Sequence, residues 1–200
     1  MQFVMATNNL KKRDEMERIL KELGIEVLTA KQAGADLGDV EETGTTFEEN
    51  AYIKAEAAMK ATGLPAVSDD SGLEVDALGG EPGVHSARYT GRHEDSDADR
   101  RAFLMKKLEG VEHRSARFVS AICCAFPNGD VLRARGTCEG KIATREAGEN
   151  GFGYDAMFIP EGSERTMAEL SADEKNAISH RGRALREFAR LLKEYCDADK

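Results

Sequence analysis

Phe3-Val4-Met5-Ala6-Thr7-Asn8-Asn9-Leu10-Lys11-Lys12 passes from an apolar run through a polar turn into a helix start, and that order decides the fold. Residues 3–6 read as a short buried strand. From Leu10 onward, Met16, Ile19, Leu20 and Leu23 recur at helical spacing among charges until Gly24 stops the pattern. Residues 25–28 supply a second candidate strand, followed by a polar loop over 31–44. Strand, helix, strand is the opening of an α/β layer.

The rest of the chain extends this reading. Thr46 and Glu49 have capping-box spacing, and Phe47, Ala51, Ala55, Ala58 and Met59 form a helical stripe down to Gly63. Residues 66–68 and 73–75 are strand-like on either side of Asp69-Asp70-Ser71-Gly72, whose composition places the two acids on a turn. A glycine-bearing loop follows over 79–91, then a helix over 96–108. Two apolar runs, 116–126 and 131–139, flank Pro127-Asn128-Gly129-Asp130, and Asn-Gly between strands predicts a hairpin. In the second run Leu132, Ala134, Gly136 and Cys138 alternate with polar residues, so one face is buried. Ser171 and Glu174 open a charged helix to about residue 195. The expectation is an α/β protein with a mixed sheet, one domain over residues 1–200.

Composition narrows the partners. The 200 residues are 40% hydrophobic and 32% charged, with 37 acidic against 28 basic side chains and a net charge of −9. No basic field is available to gather duplex nucleic acid by counterion release. A small anion remains possible through local lysines and a metal ion. Cys123, Cys124, Cys138 and Cys196 lack C-x-x-C spacing, which argues against zinc and a disulfide framework. The apolar start is too short for a signal segment, and residues 118–126, the longest largely apolar run, fall far short of a membrane span. The chain reads as a cytoplasmic protein with neither nucleic acid nor membrane as partner.

Chemistry concentrates in a few segments. Thr7, Asn8, Asn9, Leu10, Lys11 and Lys12 lie where strand gives way to helix, so backbone N–H groups and the positive end of the helix dipole suit a phosphate. The alternative is an Asn N-cap with two solvated lysines. Asp69 and Asp70 can hold a hard cation and position water, or simply belong to a turn. Glu41-Glu42 adds acids in the long loop. Phe152-Gly153-Tyr154-Asp155 presents an aromatic ring for base stacking and a carboxylate, or a strand start with core aromatics. Lys175 and Ser179 share a face of the last helix, while His180 and Arg181 turn away from it. His85, His93 and His113 have no spacing that suggests a metal or a nucleophile's base.

Taken in order, these segments resemble the inosine-triphosphate pyrophosphatase family. The resemblance rests on residues 7–12, Glu41-Glu42-Thr43-Gly44 with Phe47-Glu48-Glu49-Asn50-Ala51, residues 68–72, Gly79-Gly80-Glu81-Pro82-Gly83, Phe152-Gly153-Tyr154-Asp155, and Glu174-Lys175-Asn176 with Ser179-His180-Arg181-Gly182. The common family form has glycine where Asn8 stands. The resemblance implies an elongated α/β mixed-sheet fold of two lobes with a central nucleotide-binding cleft, a homodimer, and magnesium-dependent cleavage of inosine, deoxyinosine or xanthosine triphosphate to monophosphate and pyrophosphate. It also implies roles for individual residues. Thr7, Asn8, Asn9, Leu10, Lys11 and Lys12 would hold the triphosphate, with Lys54 and Ser71 touching phosphates. Glu41 and Asp70 would serve Mg2+, and Asp70 would be the catalytic proton acceptor for water. Phe152, Gly153, Tyr154, Asp155, Lys175, His180 and Arg181 would enclose base and sugar.

Two points stay open at this level. Either Asp69 or Asp70 can be the proton acceptor, and a donor such as Arg181 or His180 would favour a 6-oxo purine over adenine. Two rival functions also use these residues: a phosphohydrolase releasing orthophosphate, and a nucleotide-binding module without turnover.

Overall fold

The computed structural model describes residues 2–92 and 94–198, which leaves His93 outside the described residues. The elements are β1 (Phe3–Met5), α1 (Leu10–Glu22), β2 (Val27–Thr29), α2 (Phe47–Thr62), β3 (Ala66–Val75), α3 (Asp97–Lys107), β4 (Ser115–Ala125), β5 (Val131–Ile142), β6 (Phe158–Pro160), α4 (Ala172–Ile178) and α5 (His180–Ala198). The sheet order is β2-β1-β3-β4-β5-β6. β1 pairs in parallel with β2 and β3, whereas β5 and β6 are antiparallel. The sheet is therefore mixed, as the sequence predicts.

Local chemistry sets the boundaries. Asn9 caps α1 by accepting from the Lys12 N–H. Thr46 with Glu49, Ser96 with Asp99, and Ser171 with Glu174 form capping boxes at α2, α3 and α4. Gly63 ends α2 with a left-handed φ of 68°, a conformation that favours glycine. The hairpin of β4 and β5 closes with the Phe126 N–H on the Asp130 carbonyl at 2.9 Å.

Two features differ from the sequence reading. Residues 69–72 form no turn, because β3 runs unbroken from Ala66 to Val75 with both acids inside it. A strand tolerates buried carboxylates when cations compensate them, and here Lys12, Lys54 and Arg181 do so. The last helix is also two helices. Ser179 takes an extended ψ of 154°, ending α4 and starting α5 at His180. Side chains of residues 175 and 181 are thus set by different helices.

The chain divides into two compact units, Met1–Asp70 with Ser120–Gly136 and Arg181–Lys200, and Ser71–Val119 with Thr137–His180. The first is packed around Phe3, Met5, Met16, Leu20, Ile122 and Phe188. The second is packed around Leu73, Leu104, Phe118, Met157, Phe158 and Met167.

Candidate active site

Two clusters of buried polar groups stand out, one in each unit. In the first, alternation along β3 sends Asp69 and Asp70 to opposite faces, and their surroundings differ accordingly. Asp69 is 1% exposed. Its carboxylate pairs with Arg181 at 3.2 Å and Lys12 at 3.2 Å, and accepts from the Ser120 hydroxyl at 2.5 Å. Arg181 also pairs with Glu15. Burial by itself raises an acid's pKa, but Arg181, Lys12 and Ser120 together outweigh it and hold the Asp69 carboxyl far below the usual carboxylate range. Asp69 is ionised and poorly suited to accept a proton.

Asp70 is the opposite case. Its Oδ1 pairs with Lys54 at 3.1 Å, while its Oδ2 is buried with no hydrogen-bond partner. Burial is the largest influence and pushes the Asp70 carboxyl up; Lys54 and Lys12 oppose it, and Glu42 and Asp69 add to it. Lys54 also holds Glu42, at 2.8 Å. Its own burial works against its charge, yet Asp70 and Glu42 prevail and raise the ammonium above the ordinary lysine value.

The donor set around Lys54 fits a hard divalent cation. Glu42 and Asp70 offer oxygens only, and the orphaned Oδ2 is a carboxylate oxygen already stripped of water. Among the described residues no group of three or more His, Cys, Asp and Glu side chains is arranged to hold a metal. Two carboxylates with the remaining positions left to water and phosphate is the ordinary arrangement for magnesium. Glu42 is the loop acid that reaches Lys54, and Glu41, the position the resemblance implies for the metal, stands exposed beside it.

The turn before α1 is built from its own side chains. Asn9 N–H donates to Thr7 Oγ1 at 3.2 Å, and Asn8 Nδ2 donates to the Gly38 carbonyl at 2.8 Å. No described non-glycine residue has positive φ, so Asn8 occupies the usual glycine position without backbone strain. Asn8, Asn9, Leu10 and Lys11 are exposed at the positive end of α1. Lys12 turns inward to Asp69 instead. Asn9 is therefore an N-cap, and of the two lysines expected to be solvated only Lys11 is exposed.

In the second unit Asp155 is the keystone. It is 4% exposed and accepts from the Phe152 N–H at 3.0 Å and from Lys175 Nζ at 2.8 Å. Lys175 Nζ also lies 5.0 Å from the Phe152 ring centroid. Gly153 donates to Asp97 at 2.8 Å and accepts from Arg101 at 2.8 Å. The buried Tyr154 hydroxyl donates to the Ser86 carbonyl, and burial pushes its pKa up. Asp155, Tyr154 and Lys175 thus shape the segment from within, leaving the half-buried Phe152 ring and Gly153 at its surface. His180 stacks on Phe118 with centroids 4.8 Å apart. Ser71, half-buried, directly follows Asp70 on β3.

Sequence reasoning missed Glu15 and Ser120. Glu15 lies three residues after Lys12 on α1, so their shared face was a readable signal. Ser120 is one polar residue within the apolar run of β4, which also marks it. Nothing in Glu41-Glu42 alone distinguishes the two acids.

Known proteins match the chain over almost its whole length. The chain is 50% identical over 188 residues to a dITP/XTP pyrophosphatase of an Exiguobacterium strain, covering 94% of this chain and 95% of the relative. It is 48% identical over 193 residues to a dITP/XTP pyrophosphatase of Streptomyces avermitilis, covering 96% of each. The solved HAM1 protein of Coxiella burnetii superposes with a TM-score of 0.87 at 43% identity, covering 97% of this chain and 99% of the other. The Staphylococcus aureus Ham1 protein gives 0.86 at 42% identity, covering 98% and 100%. With residues 3–191 also matching the family as a whole, the chain belongs to the Ham1 family.

Proposed function

We propose that this chain hydrolyses non-canonical purine nucleoside triphosphates, namely those of inosine, deoxyinosine and xanthosine, to the monophosphate and pyrophosphate, with Mg2+ as its metal. Family membership and the named dITP/XTP pyrophosphatase relatives support this reading. The observation that carries it is Asp70: a buried carboxylate with one oxygen on Lys54 and the other without a hydrogen-bond partner, beside Glu42.

Cleavage between the α and β phosphates requires neutralised charge, a held leaving group and an aligned water. Asp70 with the loop acids Glu41 and Glu42 would hold the divalent ion, which would supply neutralising charge. Lys54 and Lys12 add fixed positive charge, and the exposed turn at Thr7, Asn8, Asn9, Leu10 and Lys11 offers donors to the phosphate chain. Ser71 adds a hydroxyl. Asp70 also orients the attacking water and accepts its proton. Asp69, held ionised, keeps Lys12 and Arg181 in place.

Phe152 stacks on the base, and Asp155 with Lys175 fixes the Phe152 ring. Arg181, held by its ion pairs with Asp69 and Glu15, offers guanidinium N–H donors to a 6-oxo group. His180 lies on the ring of Phe118, which fixes the plane of its imidazole. The homodimer and a cytoplasmic setting implied by the resemblance belong to the same proposal, and light scattering of the purified chain checks the first. Among the described residues no helix is long and apolar enough to cross a membrane.

Asp70→Asn tests the assignment. It keeps shape and removes the charge, so turnover should fall roughly 100- to 10,000-fold while the thermal midpoint stays near the parent's. Near-parent activity would remove Asp70 from the reaction.

A further inference from the structure

The acidic loop meets α2 at Gly44, whose N–H donates to Asn50 Oδ1 at 2.8 Å. The approach is close. A Cβ on Gly44 would stand 2.6 Å from Asn50 Oδ1, 2.6 Å from Glu49 Cβ and 3.0 Å from the Asn50 nitrogen. Gly44 is not among the positive-φ glycines, so the requirement there is for space and not for an unusual conformation. The following residues strengthen the contact: Thr45 donates to Glu49 from its N–H at 2.7 Å and its hydroxyl at 3.0 Å.

Asn50 is fully buried inside a helix. Asparagine is a weak helix former, and a buried amide is costly unless it is hydrogen-bonded. Its Nδ2 has no hydrogen-bond partner, so the bond to Gly44 is what this side chain contributes among the described residues. One helical turn further, Lys54 joins Glu42 to Asp70. Gly44 is two residues from Glu42, a span of at most about 7 Å of chain, so holding Gly44 restrains Glu42.

We infer that Asn50 is a positioning residue: by docking Gly44 it sets the Glu42 carboxylate against Lys54 and Asp70 and completes the divalent-ion site. This rests on the metal reading of Glu42 and Asp70 given above. Asp70 sits on β3 and Lys54 on α2, and the pair between them at 3.1 Å does not involve the loop. Releasing the loop therefore lowers metal affinity while turnover at saturating metal is kept.

The test uses the full chain with Asn50→Ala, Gly44→Ala and the double variant. Mn2+ binding to substrate-free protein is followed by the paramagnetic resonance signal of the free ion, and the Mg2+ concentration for half-maximal turnover is measured separately. Each single variant should weaken Mn2+ binding and raise the Mg2+ requirement about tenfold or more, with kcat at saturating Mg2+ close to the parent's. The double variant should be no weaker than the worse single, because both changes release one contact. Should Asn50→Ala fail to fold, Gly44→Ala carries the test alone, since it removes no side chain. Unchanged Mn2+ affinity and Mg2+ requirement in folded Gly44→Ala would overturn the inference, and so would full additivity. If the parent itself bound no Mn2+ and turned over without a divalent ion, the metal reading would fail and this inference with it. Metal dependence in the parent with unaltered variants overturns the positioning role alone.

Discussion

Arg181 and Asp69 form an ion pair at 3.2 Å with both side chains closed to solvent, tying the start of α5 to the middle of β3. Breaking a buried pair from one side leaves an uncompensated charge and costs about 3–5 kcal/mol. Arg181→Met should therefore lower the unfolding free energy at pH 7 by that order, read as a fall in the urea midpoint. An unchanged midpoint would mean that Lys12 and Ser120 alone satisfy Asp69.

The same pair sets a pH dependence. The folded Asp69 carboxyl lies below its unfolded value of about 3.9, so its stabilising contribution is complete above that pH and is lost as pH falls through the folded value. Asp69→Asn should be less stable than the parent at pH 7, and the gap should narrow below about pH 4. Urea titrations at several pH values check this, and a gap that widened on acidification would contradict it.

Phe152 and Asp155 should separate function from structure. Phe152→Ala should raise KM by roughly 5- to 100-fold, the loss of one base-stacking contact, with little change in stability. Asp155→Asn should chiefly destabilise, because Lys175 is left buried without its anion. Steady-state kinetics and thermal melts of the two variants together decide the allocation. Equal KM effects without destabilisation by Asp155→Asn would place that carboxylate on the substrate.

The cysteines offer a simpler check. Burial pushes the Cys123 thiol up to about 11, and Cys124 is raised further in the same way. Cys138 is also buried, while Cys196 is partly exposed near the end of α5. A thiol-labelling reagent at pH 7.5 should modify Cys196 in the native chain and reach the others only on unfolding. Rapid native labelling of Cys123 would show β4 to be more open than the structure places it.

How much of this was legible beforehand varies by residue. β1, α1, α2, α3 and the β4–β5 hairpin follow from periodicity and caps, since each is specified by neighbours in sequence. The continuity of β3 was not legible. Asp-Asp-Ser-Gly has turn composition, and only cations from α1, α2 and α5 make it acceptable in a strand. The break at Ser179 was hidden for a related reason, because serine is tolerated within helices and equally well between them. The pairing of Lys54 with Glu42 joins α2 to an irregular loop, which no local pattern encodes. Arg181 is the clearest example of context: its sequence neighbours suggest a solvent-facing helix, and its partners lie at positions 15 and 69.

The central claim is that Asp70 directs water at the α phosphate so that pyrophosphate leaves. Hydrolysis of inosine triphosphate with Mg2+ in 18O-labelled water tests it most directly. The expected products are inosine monophosphate carrying the label and unlabelled pyrophosphate; formation of inosine diphosphate with labelled orthophosphate would contradict the account.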